Sequence, residues 1–192
     1  MMSEIHLNQS TSKRSCGGCT LCCRLVPVKS LNKPGGTRCK HQRFRTGCAV
    51  YRKEGFPAEC HLWSCHWLVT DIDVPRPDHG HYVIDIVPDF VTAQNLGKEV
   101  SVPVIQIWID PHYPEAHRDP KLRAWLDKMS RADGWCALVR FNEVDAMFLL
   151  PPVMSDTRQW EEVGGERMDC SGKSHRAEEI AAKLYNAGVY PE

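Results

Sequence analysis

The chain has 192 residues, 42% apolar and 25% charged, which suits one good hydrophobic core with a small satellite region and argues against a disordered chain. Its longest apolar runs, such as 146–150, fall far short of the roughly 20 residues a spanning helix needs, which argues against an integral membrane protein. The net charge of zero conceals unequal halves: 13–65 carries eleven Lys and Arg against Glu54 and Glu59, whereas 66–192 carries thirteen against twenty-one acids.

Residues 1–15 are polar and lack the apolar stretch of a secretory signal, so they read as a short N-terminal tail and the chain is expected in the reducing cytoplasm. The next segment holds eight of the ten cysteines: Cys16, Cys19, Cys22, Cys23, Cys39, Cys48, Cys60 and Cys65. In an exported protein such crowding suggests a disulfide framework, but cytosolic thiols stay reduced, which leaves metal binding as the stronger reading. Between the cysteines stand Gly17-Gly18, Pro34-Gly35-Gly36, Gly47 and 55–57, where the backbone must turn tightly to bring sulfurs together. No helical or alternating period is sustained over 16–70. A loop-rich module with metal supplying its core is expected there.

Beyond the 71–80 connector, with Pro75 and Pro77, four segments have strand character: 81–87, 100–109, 135–141 and 144–150. The last two predict a hairpin turning at Asn142-Glu143. Asp119-Pro120 offers an N-cap and a first-turn proline, and Leu122, Trp125, Leu126 and Met129 then share one face, which predicts a helix ending before Gly134. The polar stretch 154–172 reads as loop. Ala177, Ile180, Ala181 and Leu184 predict a terminal helix over 176–185. The fold class expected is therefore α+β, with a cysteine metal-binding module (16–70) packed with a small antiparallel sheet and two helices (71–192).

The opening Cys-x2-Cys-x2-Cys-Cys carries the chemistry. Two intervening residues let successive thiolates fold back on one centre, as in zinc knuckles and iron-sulfur ligand runs, and eight thiolates divide into two tetrahedral sets. Iron-sulfur and zinc both remain open. Cys22 and Cys23 are adjacent, so their side chains are expected to diverge toward different metals or to leave one thiol free. The working assignment is Cys16, Cys19, Cys22 and one later cysteine for one centre, with Cys23 and the other later cysteines forming another. His41, His61 and His66 are nearby substitutes as ligands, and Trp63 and Trp67 flank Cys65 as shields against water or as ordinary packing.

Metal-bound thiolates would concentrate negative charge in this segment. Compensation by Arg24, Lys29, Arg38, Lys40, Arg43, Arg45 and Arg52 is favoured over a nucleic-acid surface or a plain solvated face as the reason for the basic excess. Elsewhere the signals are weak. Asp110, His112, His117 and Asp119 are candidates for a hydrolytic metal site in a proline-rich loop, and Asp78-His79-Gly80-His81 contains a His-x-His. Cys136 reads as a buried small hydrophobe and Cys170 as an exposed loop thiol. The chain has no phosphate-binding glycine loop, dinucleotide fingerprint or nucleophile elbow.

These residues resemble the CxxCxxCC cysteine-cluster family, also called YkgJ-like, a zinc- or iron-chelating domain. The match covers roughly 16–67: Cys16-Gly-Gly-Cys19-Thr-Leu-Cys22-Cys23-Arg24, Cys39, Gly47-Cys48-Ala-Val-Tyr51, Pro57-Ala-Glu-Cys60, Cys65 and Trp67. It departs at Phe56, where the family often looks like Arg-Pro. The resemblance implies metal chelation with no settled reaction. A similar cysteine signature occurs in flagellin lysine methylases, so an iron-sulfur enzyme of protein lysine methylation enters by analogy only. The function expected first is a cytoplasmic metal-binding protein for electron transfer, metal handling or sensing, with metal ions and a protein as partners and no membrane. The alternative is a zinc-stabilised module that binds nucleic acid or an acidic protein.

Overall fold

The computed structural model describes residues 14–85, 89–95 and 98–167. Most of the expected tail, the expected helix over 176–185 and Cys170 lie outside the described residues.

The cysteine segment is mostly turn and loop, as its punctuation suggests. It contains α1 (Leu21–Leu25), a 3-10 turn (Lys29–Leu31), the strand pair β1 (Gln42–Arg43) and β2 (Gly47–Cys48), α2 (Ala58–Leu62) and α3 (His66–Val69). After α4 (Pro77–Gly80) come β3 (Tyr82–Ile84), β4 (Asp89–Asn95) and β5 (Lys98–Ile109). A second 3-10 turn (Pro114–Arg118) leads to α5 (Pro120–Asp133), then β6 (Cys136–Arg140), β7 (Asp145–Leu150) and β8 (Glu161–Arg167). The architecture is α+β.

The main sheet differs from the expected small antiparallel one. It has six strands in the order β3-β5-β6-β7-β8, with β4 also paired to β5. Strands β5 and β6 run parallel, with Val104 opposite Cys136 and Ile107 opposite Val139. The cause is the connection: the chain leaves β5, passes through α5 and re-enters the sheet in the same direction, as a crossover helix requires. Among the described residues α5 is the only long helix; the other four have four or five residues. Strand β8 occupies part of the polar stretch read as loop.

Helix α5 begins and ends on the expected signals. The Asp119 carboxylate accepts hydrogen bonds from the Lys121 and Leu122 backbone N–H groups at 2.8 and 2.9 Å, satisfying donors that the first turn leaves free. Gly134 closes the helix at φ +68°, its N–H donating to the Ser130 carbonyl, a left-handed position that glycine occupies without steric cost. The hairpin turn between β6 and β7 is held by Asn142, whose Oδ1 accepts from the N–H groups of Val144 and Asp145, both at 2.7 Å.

Alternation along the strands divides the core into two layers. Tyr82, Ile84, Ile105, Ile107 and Ile109 pack with Leu122 and Leu126 of α5. Val83 and Trp108, whose side chains project to the opposite face, pack instead with Leu21, Leu25, Cys19 and Cys65. The sheet therefore lies between α5 and the cysteine module. Leu25 and Val83 are almost fully enclosed, and each such side chain contributes about 1.5–3 kcal/mol through removal from water. A salt bridge from Arg24 of α1 to the buried Asp110 beyond β5 adds a polar tie between the same layers.

Candidate metal centre

Backbone contacts fold the cysteine loops onto one another. The Cys19 N–H donates to the Cys16 carbonyl at 2.8 Å, closing the first Cys-x2-Cys turn, and the Cys39 N–H donates to the Cys23 carbonyl at 3.1 Å. The β1–β2 pair, with Gln42 opposite Cys48, rests on the Gly17-Gly18 turn so closely that a Cβ at Gly18 would stand 2.6 Å from the Arg45 carbonyl oxygen. Only glycine fits there. Helix α2, which carries Cys60, is tied to the first 3-10 turn by Glu59, whose carboxylate accepts from the Ser30 N–H at 2.8 Å and the Ser30 hydroxyl at 2.7 Å. Cys65 bridges to Asp85 beside β3, and the Trp63 indole donates to the Asp85 carboxylate at 2.6 Å. Arg14, within the stretch read as a tail, donates to the carbonyls of Trp67, Thr70 and Ile72 and so fixes the module's far end.

Four of the eight thiols share one cavity, and the other four lie close enough to act on one another and on Cys16. Cys16, Cys19, Cys22 and Cys65 line one small cavity closed by Trp67 and Pro77. Burial raises the Cys16, Cys19 and Cys65 thiols, Cys65 to about 12, and mutual proximity adds to the rise: Cys16 and Cys19 both act on Cys65. The remaining four are Cys23, Cys39, Cys48 and Cys60, of which Cys23 and Cys48 also raise Cys16. Burial pushes Cys60 up to about 11, with Cys23, Cys39 and Cys48 adding to the shift, and Cys48 is raised first by burial and then by Cys23 and Cys39.

The two groups adjoin at Cys22 and Cys23. Adjacent side chains ordinarily splay, but these two thiols share a hydrogen bond that drives Cys22 up and brings Cys23 down to about 7. The cation behind this is Lys33, which the sequence reading left out. Its ammonium is buried and donates to the carbonyls of Arg24 at 3.1 Å, Val26 at 2.5 Å and Pro34 at 3.3 Å. Burial lowers the Lys33 ammonium, while Cys39, Cys23 and Cys22 act to hold its proton. No sequence signal distinguishes Lys33 from the exposed cations, because its role depends on a cage of carbonyls made by the turn at 24–34.

Among the described residues no group of three or more His, Cys, Asp or Glu side chains stands in a preformed metal-ligating arrangement. The sulfurs are adjacent thiols, and all nine described cysteines are free of disulfides. The donor set fits zinc or an iron-sulfur cluster by chemistry: eight soft sulfur ligands, the number that two sets of four require. One buried donor also fits. The Trp108 indole N–H, in the same packed cluster as Cys19 and Cys65, has no acceptor among the described residues, and a thiolate centre would offer one.

The other candidate ligands are directed elsewhere. His61 is exposed with its ring against Phe56, and His66 lies beside Trp125. Asp110 engages Arg24 and His112, His117 bonds to Pro114 and Glu162, and Asp119 caps α5, so these groups do not form one site. His81 stacks on Tyr113, and His79 is mostly exposed. Cys136 is fully buried, its thiol pushed up to about 12 by that burial. No helix among the described residues is long and apolar enough to cross a membrane. Comparisons with protein-family models, curated proteins and solved structures found no match.

Proposed function

We propose that this chain is a cytoplasmic metal-thiolate protein with two adjacent four-cysteine centres, Cys16/Cys19/Cys22/Cys65 and Cys23/Cys39/Cys48/Cys60, holding iron-sulfur or zinc for electron transfer, metal handling or sensing. The observation that supports this reading is the cavity shared by Cys16, Cys19, Cys22 and Cys65, with Cys23, Cys39 and Cys48 near enough to Cys60 to raise its thiol. A core packed for stability alone has no need of eight clustered thiols, most of them held protonated first by burial and then by one another. Metal ions relieve that crowding by replacing thiol protons.

The resemblance to the YkgJ-like cluster family points the same way. When bound, an iron-sulfur cluster supplies one-electron redox chemistry, whereas zinc in a closed four-thiolate site supplies structure. The chain's own contribution is legible in either case. Lys33 places a fixed positive charge beside Cys22, Cys23 and Cys39, Trp67 and Pro77 close one centre toward solvent, and Leu21, Leu25, Val83 and Trp108 seat the module on the sheet. The test is metal and acid-labile sulfide analysis of anaerobically purified protein, with Cys16→Ser and Cys60→Ser compared. Loss of a different half of the metal in each variant supports the reading. Protein that binds no metal when supplied with zinc or iron and sulfide overturns it.

A further inference from the structure

Most cations of the cysteine module do not serve the thiols. Arg24 engages Asp110, Lys33 acts on Cys23, and of the exposed cations Arg52 has a small influence on Cys16. Across 38–56 six cations, Arg38, Lys40, Arg43, Arg45, Arg52 and Lys53, stand against the single acid Glu54. All six are exposed, and among the described residues none pairs with a carboxylate.

Two aromatic rings of the same segment are exposed, Phe44 at 73% and Tyr51 at 43%. Each is followed by an arginine in the left-handed region, Arg45 at φ +55° and Arg52 at φ +54°. In both cases the guanidinium folds back over the preceding ring, with Cζ 5.1 Å from the Phe44 centroid and 5.3 Å from the Tyr51 centroid. A positive φ is uncommon for a residue other than glycine, and strained backbone of this kind concentrates at functional positions. The same aromatic-arginine unit is built twice, seven residues apart. Phe44 makes no other ring contact among the described residues, while the Tyr51 ring also meets Phe56 edge-on at 5.4 Å.

We infer that the exposed 38–56 segment binds a single-stranded polynucleotide, with Phe44 and Tyr51 stacking on unpaired bases and the cations of the segment contacting phosphates. A ring beside a guanidinium matches the repeating unit of a nucleic-acid strand, a flat base beside an anionic phosphate. An acidic protein offers the charge without the stacking surfaces, and a duplex keeps its base faces stacked inside. Recognition would be tolerant of sequence, since every base has a π-face. The inference does not depend on which metal the cysteines hold.

The test uses the full chain as purified and fluorescence anisotropy with a labelled oligothymidylate about 15 nucleotides long, enough to fill a single-strand site. Phe44→Ala and Tyr51→Ala should each weaken binding about tenfold, the scale of one lost base stack. Phe44→Trp, which keeps a stacking face, should bind at least as tightly as the parent. Lys40→Ala with Arg43→Ala should flatten the slope of log affinity against log salt by about 1.4, or roughly 0.7 per phosphate contact. A duplex of matched length should compete poorly. Absence of binding at low salt, equal competition by duplex or heparin, or ring variants that bind like the parent while the cation variant loses affinity would each overturn the inference; the last pattern describes a generic polyanion surface.

Discussion

The thiols of Cys22 and Cys23 act on each other so that Cys22 is raised and Cys23 is lowered to about 7, with the Lys33 ammonium adding to the lowering of Cys23. In metal-free, reduced protein Cys23 should therefore alkylate first, with half-maximal reactivity near pH 7, because its thiol is lowered to about 7. Cys60 and Cys65, raised to about 11 and about 12, should react far more slowly, since only thiolate attacks. Iodoacetamide labelling followed by peptide mapping gives the order. First labelling at Cys65 would contradict these shifts.

Lys33 is also a structural group, because three main-chain carbonyls take its proton donors. Lys33→Met keeps much of the volume and removes the donors, which should cost about 2–3 kcal/mol in a urea titration, the scale of losing hydrogen bonds to a charged group. The same variant should slow Cys23 alkylation at neutral pH, since loss of the cation raises that thiol.

Gly18 is the point of closest approach between the first cysteine turn and the β1–β2 hairpin. Gly18→Ala sets a methyl group against backbone that has no side-chain freedom to yield, and about 1–3 kcal/mol of destabilisation is expected. Metal content should fall in both sets, because Cys16, Cys19 and Cys48 all flank this contact. A variant with unchanged melting temperature and metal content would show that the hairpin does not rest on the turn.

Glu162 ties β8 to the turn before α5, accepting from Arg118 at 2.9 Å and lying 3.0 Å from His117 Nε2. The hydrogen bond from Arg118 outweighs partial burial and, with help from His117, brings the carboxyl down to about 2. A depressed folded value makes the carboxylate stabilising above its ordinary range near 4.5, and the stabilisation fades as pH falls from about 4.5 toward 2. Glu162→Gln should be less stable than the parent at neutral pH, and the gap should narrow through that window. Melting curves between pH 2 and 7 decide it; a gap independent of pH would contradict the assignment.

Features written in local sequence were legible. Asp119, Pro120, Gly134 and the spacing of Leu122, Trp125, Leu126 and Met129 state α5 within a few residues, and Asn142 states the hairpin turn. The eight cysteines and their likeness to a cluster family marked the candidate site. What sequence could not state depends on distant partners. Strand β8 is Glu161-Glu-Val-Gly-Gly-Glu-Arg167, paired only to β7 among the described strands, so it carries no alternating apolar signal. The parallel β5–β6 pair follows from the path of α5 rather than from either strand. That Cys65 lines the same cavity as Cys16, Cys19 and Cys22 depends on long-range packing of α3 and β3, and Lys33 looks like any surface lysine until the 24–34 turn encloses it.

The most direct test of the central claim is metal and sulfide content per chain in anaerobically purified wild type, Cys16→Ser, Cys60→Ser and the variant carrying both substitutions, read with the absorption spectrum. Two four-cysteine centres predict that the wild type holds two centres, that each variant loses one, and that the double variant loses both. Full metal retention in either single variant, or a wild type that takes up no metal at all, would contradict the account.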